Sequence, residues 1–593
     1  MFLRRSIKVT CCLIALGIFS TSAVPLWGQS SPSKVRAQTD QAQVSYSQGM
    51  SALQKGDLTS ARVSFEKVIR LAPRSPEAHN SLGWVLMEQG QIEPAIAQLR
   101  AALKLKANFV QAHINLANAL SSERDFAEAE SEAQEAVRLD PKDSEARRTL
   151  GRIKTFRGDL PGGVNELQSA ISLEPKRPEL HDDLGTLFEQ TGKIDEAAAQ
   201  FSEALRLNPH YFSAELHLGV VRWQQHRLPD AGDLLAKATQ SAPEDPQAYY
   251  YLARVLEDEK KDDQAIAELK KAAALQPNFT DAQENLGLLS QRAGNIQDAV
   301  AAFRQLVQLR PENPDAHNNL GLALIQSGDA ASSMPEFEAA IRLRPSDPGY
   351  MENLGTAYLQ RADFDSAIKQ FQSALKIAPQ DATAHYDLGL ALKLKDQLSE
   401  AIAEFQTAAQ LSPEQPDIHY TLGVTLWQKG DFADSEKELI AATAAKPDYA
   451  EAYYTLGTVL KQDGKLNDAA AALRKAIEIN PGLVGAHTNL AAILRQQGDV
   501  AGAEIENHRA QELFKQSNTL QAATFNTNSG KRLLQAGDLD GAISQFRSAI
   551  KLAPDYAPAH QQLAQALAQK GQQAEADEES RKAAQLAGTN SSR

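Results

Sequence analysis

A formal net charge of −14 over 593 residues argues against a protein that holds nucleic acid or anionic lipid by charge alone. The two cysteines, Cys11 and Cys12, both lie in an N-terminal apolar run, so the rest of the chain has no disulfide, thiol chemistry or cysteine metal site. With 42% hydrophobic but only 6% aromatic residues, the chain can bury a core, and Leu and Ala must do most of the packing.

The N-terminus differs in character from the rest of the chain. Arg4, Arg5 and Lys8 precede the apolar run Val9–Phe19 and the small residues Ser20–Ala23, the pattern of a secretory signal peptide. Residues 1–37 are therefore expected to be signal peptide and leader, with cleavage after Ala23 or Ala37. An uncleaved anchor to the inner membrane is the alternative, since Val9–Trp27 is uncharged and just long enough to span. Cys11 and Cys12 form no lipobox, because Thr10 precedes them and the apolar run lies after them. Removing residues 1–37, with five basic residues and no acidic one, takes the net charge from −14 to −19. Residues 38–41 are expected to be a flexible linker.

From residue 42 a 34-residue unit repeats without a register slip through residue 517, fourteen times, with starts at 42, 76, 110, 144 and so on to 484. Length alone would suggest several domains; a stacked repeat overrides that prior. The unit Pro178–Tyr211 shows the logic. Positions 4, 7, 8 and 11 (His181, Leu184, Gly185, Phe188) share one face of a first helix, and positions 20, 24 and 27 (Ala197, Phe201, Ala204) share one face of a second. Gly192 marks the turn between them and Pro209 ends the second helix. One such hairpin cannot cover both apolar faces, so it needs neighbours. Position 8 is Gly in twelve units and Ala in four, which places helix crossings at positions 8, 20 and 27.

Five residues, 518–522, break the register, and no proline lies between Pro481 and Pro554, so a bend or a long connecting helix is expected there. Two further units fill residues 523–590, the last with Ser580 where an apolar residue is expected and Gly588 where Pro is, as suits a polar cap. Residues 591–593 are a tail.

The pattern resembles the tetratricopeptide repeat family over residues 42–590. The resemblance implies an all-α, right-handed superhelical α-solenoid of tandem helix-turn-helix repeats. It also implies a concave groove, lined by the outer face of the first helices, that holds extended peptides. The chain departs from the family at position 4, where Trp is favoured and eight repeats here have His.

Little points to catalysis. Eight of the twelve histidines occupy position 4, a packing position, and no H-E-x-x-H, G-x-S-x-G, phosphate loop or EF-hand loop is present. No enzyme activity, no cofactor and no metal are expected. On the groove-facing positions stand Trp84, Trp223 and Trp427, with Tyr386, Tyr420 and Tyr454 at position 5 of three consecutive repeats. Asn285, Asn319 and Asn353 hold position 6 in three others, where amides can both donate to and accept from a peptide backbone. This row resembles the asparagine ladder in the repeats of O-linked N-acetylglucosamine transferase, whose catalytic domain has no counterpart here. Against the aromatic ladder stands the reading that the rings pack on the next repeat's first helix, and against the asparagine row that of a local cap between helices. Arg148 and Arg152 form a basic patch answered by Asp182 and Asp183, most simply as ion pairs between repeats. The positions of a carboxylate clamp, as in chaperone-binding members of the family, do not line up. The chain is thus expected to be an exported, periplasmic or extracellular, non-enzymatic scaffold that binds an extended polypeptide or other protein partner and no nucleic acid. A periplasmic adaptor of an envelope or polysaccharide-export machine is the alternative.

Overall fold

The computed structural model describes residues 32–590. The expected signal peptide up to residue 31, with its Ala23 cleavage position, and the tail 591–593 lie outside the described residues. Among the described residues are 31 helices in tandem hairpins and no strand. They fall into two compact blocks, one ending at Arg310 and one beginning at Pro311. In a typical repeat the first helix covers positions 1–13 and the second positions 17–30, as in Pro178–Gln190 and Ile194–Leu207. Residues 38–41, expected to be a linker, lie instead inside the first helix, Pro32–Gln54. No proline or glycine interrupts the chain from Ser33 to Gln48, so the helix anchored by buried Ala42 simply continues backwards.

The close approach of the two helices in a hairpin has a definite cause. Phe65, Phe201, Phe303, Phe337, Phe371, Phe405 and Phe546, all at position 24, are fully buried. Each ring stands on the glycine at position 8 of its own repeat, where a Cβ would meet it at 2.5–2.7 Å. Leucine at position 24 does the same over Gly83, Gly219 and Gly457. The four repeats with Ala at position 8 never carry Phe at position 24: Ala117, Ala253, Ala491 and Ala564 face Ala133, Leu269, Asn507 and Ser580. At the turn, position 15 takes a positive φ throughout, from 58° at His226 to 93° at Gly430, whether or not the residue is glycine. Asp57, Asp125, Asp159 and Asp363 then cap the second helix by accepting from the backbone three residues on.

Residues 518–522 lie within one 36-residue helix, Val500–Gln535. Its first half buries Ala503 and Ala510, its second half Ala523, Thr527 and Gly530. Five extra residues rotate the helix by about 140° beyond whole turns, so the two halves bury different faces. Repeat 14 is also finished as an end: Glu504 and Gln511 stand where repeat 13 has Ala470 and Ile477. Repeat 15 opens a new front, where Phe525 at position 3 is 68% exposed although its counterpart Ala486 is fully buried.

The glycine–phenylalanine contact predicts a coupled pair of substitutions. Gly287→Ala puts a methyl 2.5 Å from Phe303 and is expected to destabilise by about 1–3 kcal/mol. Adding Phe303→Leu, which recreates the native Ala253–Leu269 pairing, is expected to restore most of that loss in denaturant unfolding. Equal unfolding midpoints for the single and double variants would show that the ring is not what the glycine accommodates.

Candidate functional site

The first helices of neighbouring repeats are tied side by side, and the ties obey a rule. Position 5 of one repeat bonds to position 6 of the next, 35 residues on. Tyr46 meets Ser81 at 3.3 Å, Asn115 donates to Asn80 at 2.9 Å, Asn285 to the Tyr250 hydroxyl at 3.2 Å, and Asn353 to Asn318 at 2.8 Å. Tyr386 pairs with Thr421 at 3.1 Å. Two helical turns further along, position 12 bonds to position 13 of the next repeat. The Trp223 indole donates to Asp258 at 2.7 Å and that of Trp427 to Gln462 at 2.6 Å.

These rungs absorb much of the expected binding face. Tyr386, Tyr420, Tyr454, Trp84, Trp223, Trp427, Asn285, Asn319 and Asn353 are all half-buried. Tyr420 packs on Tyr449 with ring centroids 5.1 Å apart, and the Tyr454 ring lies over Gly485. Trp84 packs on the core of repeats 1 and 2, and Arg254 sits over Trp223 at 5.3 Å. Asn285 and Asn353 spend an amide proton on the preceding repeat, while Asn319 makes no side-chain hydrogen bond among the described residues. Packing on the neighbouring helix thus accounts for most of the ladder residues. What the first helices do expose is a row that sequence reasoning passed over. Position 13 is Gln in ten of sixteen repeats, and all ten, among them Gln190, Gln360, Gln428 and Gln496, are exposed. The recurrence alone could have found it.

Repeats 4 to 6 are joined by charged rungs. Arg148 reaches Asp183 at 2.5 Å along the same 5-to-6 rung. Burial would raise Asp183, but Arg148 and Arg152 outweigh it and hold the carboxyl below its ordinary value. Arg152 acts there by its charge alone. On the next rung His217 Nδ1 lies 2.9 Å from Asp182, and Ser213 donates to the same carboxylate at 2.6 Å. Burial would lower His217, yet Asp182 and Glu189 leave it raised. Serine, histidine and aspartate here do not make a nucleophile: the hydroxyl gives its proton to Asp182, and the ring nitrogen nearest it is already paired with Asp182. A third rung pairs two acids. Burial, aided by neighbouring carboxylates, pushes Glu352 up to about 7 and Asp387 to about 6.

Position 4, expected to be a packing position, is a polar clasp. In all eight histidine repeats Nε2 meets the backbone carbonyl six residues earlier, at position 32 of the previous repeat. Nδ1 meets position 23 on the second helix of its own repeat, which is Glu in six cases and Gln98 or Gln200 in two. Arg147, Tyr249 and Gln283 reach the same carbonyl with other donors. Glu215 instead brings an acceptor to this place; it is 1% exposed, and neither oxygen has a partner among the described residues. No group of three or more His, Cys, Asp or Glu able to hold a metal occurs among the described residues, and no described helix is long and apolar enough to cross a membrane.

A tetratricopeptide repeat family model matches residues 46–108, 183–246, 233–278, 285–348, 353–416 and 420–484. Further models of tetratricopeptide repeats match 86–153, 530–571 and 557–590. None of the curated proteins compared with the chain matches it. Among solved structures it is similar to the APC/C hetero-tetramer Cut9-Hcn1, at 15% identity over 91% of this chain and 99% of that one, with a TM-score of 0.34. MamA from Desulfovibrio magneticus RS-1 is 24% identical over 29% of this chain and 96% of its own, with a TM-score of 0.27. PilF of Pseudomonas aeruginosa is 22% identical over 35% and 95%, with a TM-score of 0.32. At such values these likenesses carry no argument about what the chain binds.

Supplying the missing donor at Glu215 is expected to stabilise the array. Glu215→Gln supplies the N–H that Gln283 gives Pro277 at 3.4 Å and removes a buried unpaired group worth about 1–3 kcal/mol. Hydrogen exchange in repeats 5 and 6 should slow. Unchanged or faster exchange would show that the carboxyl is satisfied where it is.

Proposed function

The chain belongs to the tetratricopeptide repeat family, and from that premise we propose that it is an exported scaffold that binds an extended polypeptide along the first helices. Repeats of this kind generally mediate protein–protein interactions and are generally non-catalytic. The observation that carries the binding mode is the exposed glutamine row at position 13, set beside the side-by-side rungs. An extended chain has a donor or acceptor every few ångströms and needs partners that read no particular side chain. Exposed carboxamides recurring at one position of tied helices supply them, and half-exposed Tyr386, Tyr420 and Trp427 flank them with apolar surface. Export rests on the basic, apolar and small-residue order of the first 23 residues. Non-catalysis rests on the Ser213–Asp182–His217 geometry and on the repeats filling nearly the whole chain.

Gln360, Gln428 and Gln496 make no side-chain hydrogen bond among the described residues, so replacing all three by Ala should leave folding intact. Binding of unfolded peptides, screened on an array of overlapping sequences and measured by anisotropy, is expected to weaken about tenfold or more, at about 0.5–1.5 kcal/mol for each lost bond. Undiminished binding by the variant, or an array on which nothing is retained, would remove the groove reading. N-terminal sequencing of the protein recovered outside the cytoplasm should begin at Val24 or Gln38. Cleavage before Gln38 would also trim the first helix, which starts at Pro32. A full-length chain retained with Met1 would favour the anchor.

A further inference from the structure

The clasps at position 4 fix more than packing, because their hydrogen positions are constrained. In the six histidine–glutamate clasps Nε2 lies 2.8–3.3 Å from a backbone carbonyl, which can only accept, so Nε2 must carry a proton. Nδ1 lies 2.5–2.6 Å from a glutamate oxygen. A neutral ring with its proton on Nε2 would set a lone pair against an ionised carboxylate. The contact is attractive only when a further proton sits between ring and carboxyl. We propose that these six clasps are proton-loaded, and that they make the stacking of one repeat on the next loosen as the solution turns alkaline.

The chain contains its own control. His79 and His181 occupy the same place but face Gln98 and Gln200, at 2.7 and 2.8 Å. A carboxamide can turn its N–H toward the Nδ1 of a neutral ring, so these two clasps close without the extra proton. The other charged groups near the glutamate clasps do not change the sign. Glu135 adds a second negative charge beside His113 and is itself paired with Arg138 at 2.6 Å. Lys582 shares Glu579 with His560 at 3.1 Å. Burial alone would lower His113, but the hydrogen bonds to Glu132 and the Ala107 carbonyl and the charges of Glu132 and Glu135 leave it raised.

The shift at His113 agrees with the direction that the geometry sets. Held above its ordinary value, that ring contributes stability in full below about pH 6.5 and loses it as pH climbs through the raised value. At the acid end Glu579, which burial would raise but His560 and Lys582 hold down, contributes above the ordinary carboxyl value and loses its contribution as pH falls. The alkaline loss is the distinguishing one, since the surface carboxylates of an acidic protein do not titrate there.

The test compares the full chain with a variant carrying Glu132→Gln, Glu336→Gln, Glu404→Gln, Glu438→Gln, Glu506→Gln and Glu579→Gln, which converts every such clasp to the Gln98 form. Thermal unfolding followed by circular dichroism from pH 6 to 9 should fall by several degrees in the native chain and stay level in the variant. Parallel slopes for the two proteins would overturn the proposal. Should the six-fold variant not fold, nitrogen NMR of histidine-labelled native protein decides. At pH 7 the six rings should carry protons on both nitrogens, and His79 and His181 on one. Eight neutral rings would also overturn it.

Discussion

Everything in this array depends on how close two helices come within a hairpin, and that distance is set by a missing side chain. The ring of Phe303 occupies the space where Gly287 would have a Cβ. With the ring seated there, the second helix lies flat on the first, and alanines such as Ala197 and Ala204 bury completely on the same helix face. A fully buried phenylalanine contributes roughly 1.5–3 kcal/mol over an exposed one, and seven of the sixteen repeats carry one at this place. The repeats that give up the glycine also give up the ring, as the Ala117–Ala133 pair shows. The hairpin is therefore a two-residue agreement before it is anything else, and the junctions between hairpins are built on the faces it leaves.

How legible this was from residues alone differed by level. The hairpin, its turn and its small-residue crossings could be read because sixteen copies average out local noise, so that Gly at position 8 and Ala at positions 20 and 27 stand clear of background. The long helix Val500–Gln535 was foreshadowed by an absence, the lack of any proline between Pro481 and Pro554. The helical state of residues 38–41 was not, because polar composition says little about a segment that continues a helix anchored beyond it.

The binding face was the least legible part. Tyr386, Tyr420 and Tyr454 form a row in sequence, but each faces a different neighbour: a threonine hydroxyl, another tyrosine ring, and a glycine. A column of identical residues implies a shared role only when their partners are also alike. Rungs such as Arg148–Asp183 and Asn318–Asn353 share geometry and not chemistry, so no single residue type marks them. The clasp at position 4 did leave a signal. Every histidine there is matched by Glu or Gln nineteen residues on, a pairing visible once both columns are read together.

The interval of the rungs bears on how the gene can change length. The core repeats every 34 residues, so unequal crossing-over that removes one whole repeat would splice hairpin to hairpin with no frame error. The rungs span 35 residues, so they always join two different repeats and never travel inside one. Losing repeat 5 would leave the core intact and bring Arg148 against His217, with neither Asp183 nor Asp182 left to pair them. Copy number in such a chain is thus free as far as packing goes. The order of repeats is not, and an ancestry of duplication would be recorded less in the hairpins than in the pairs between them.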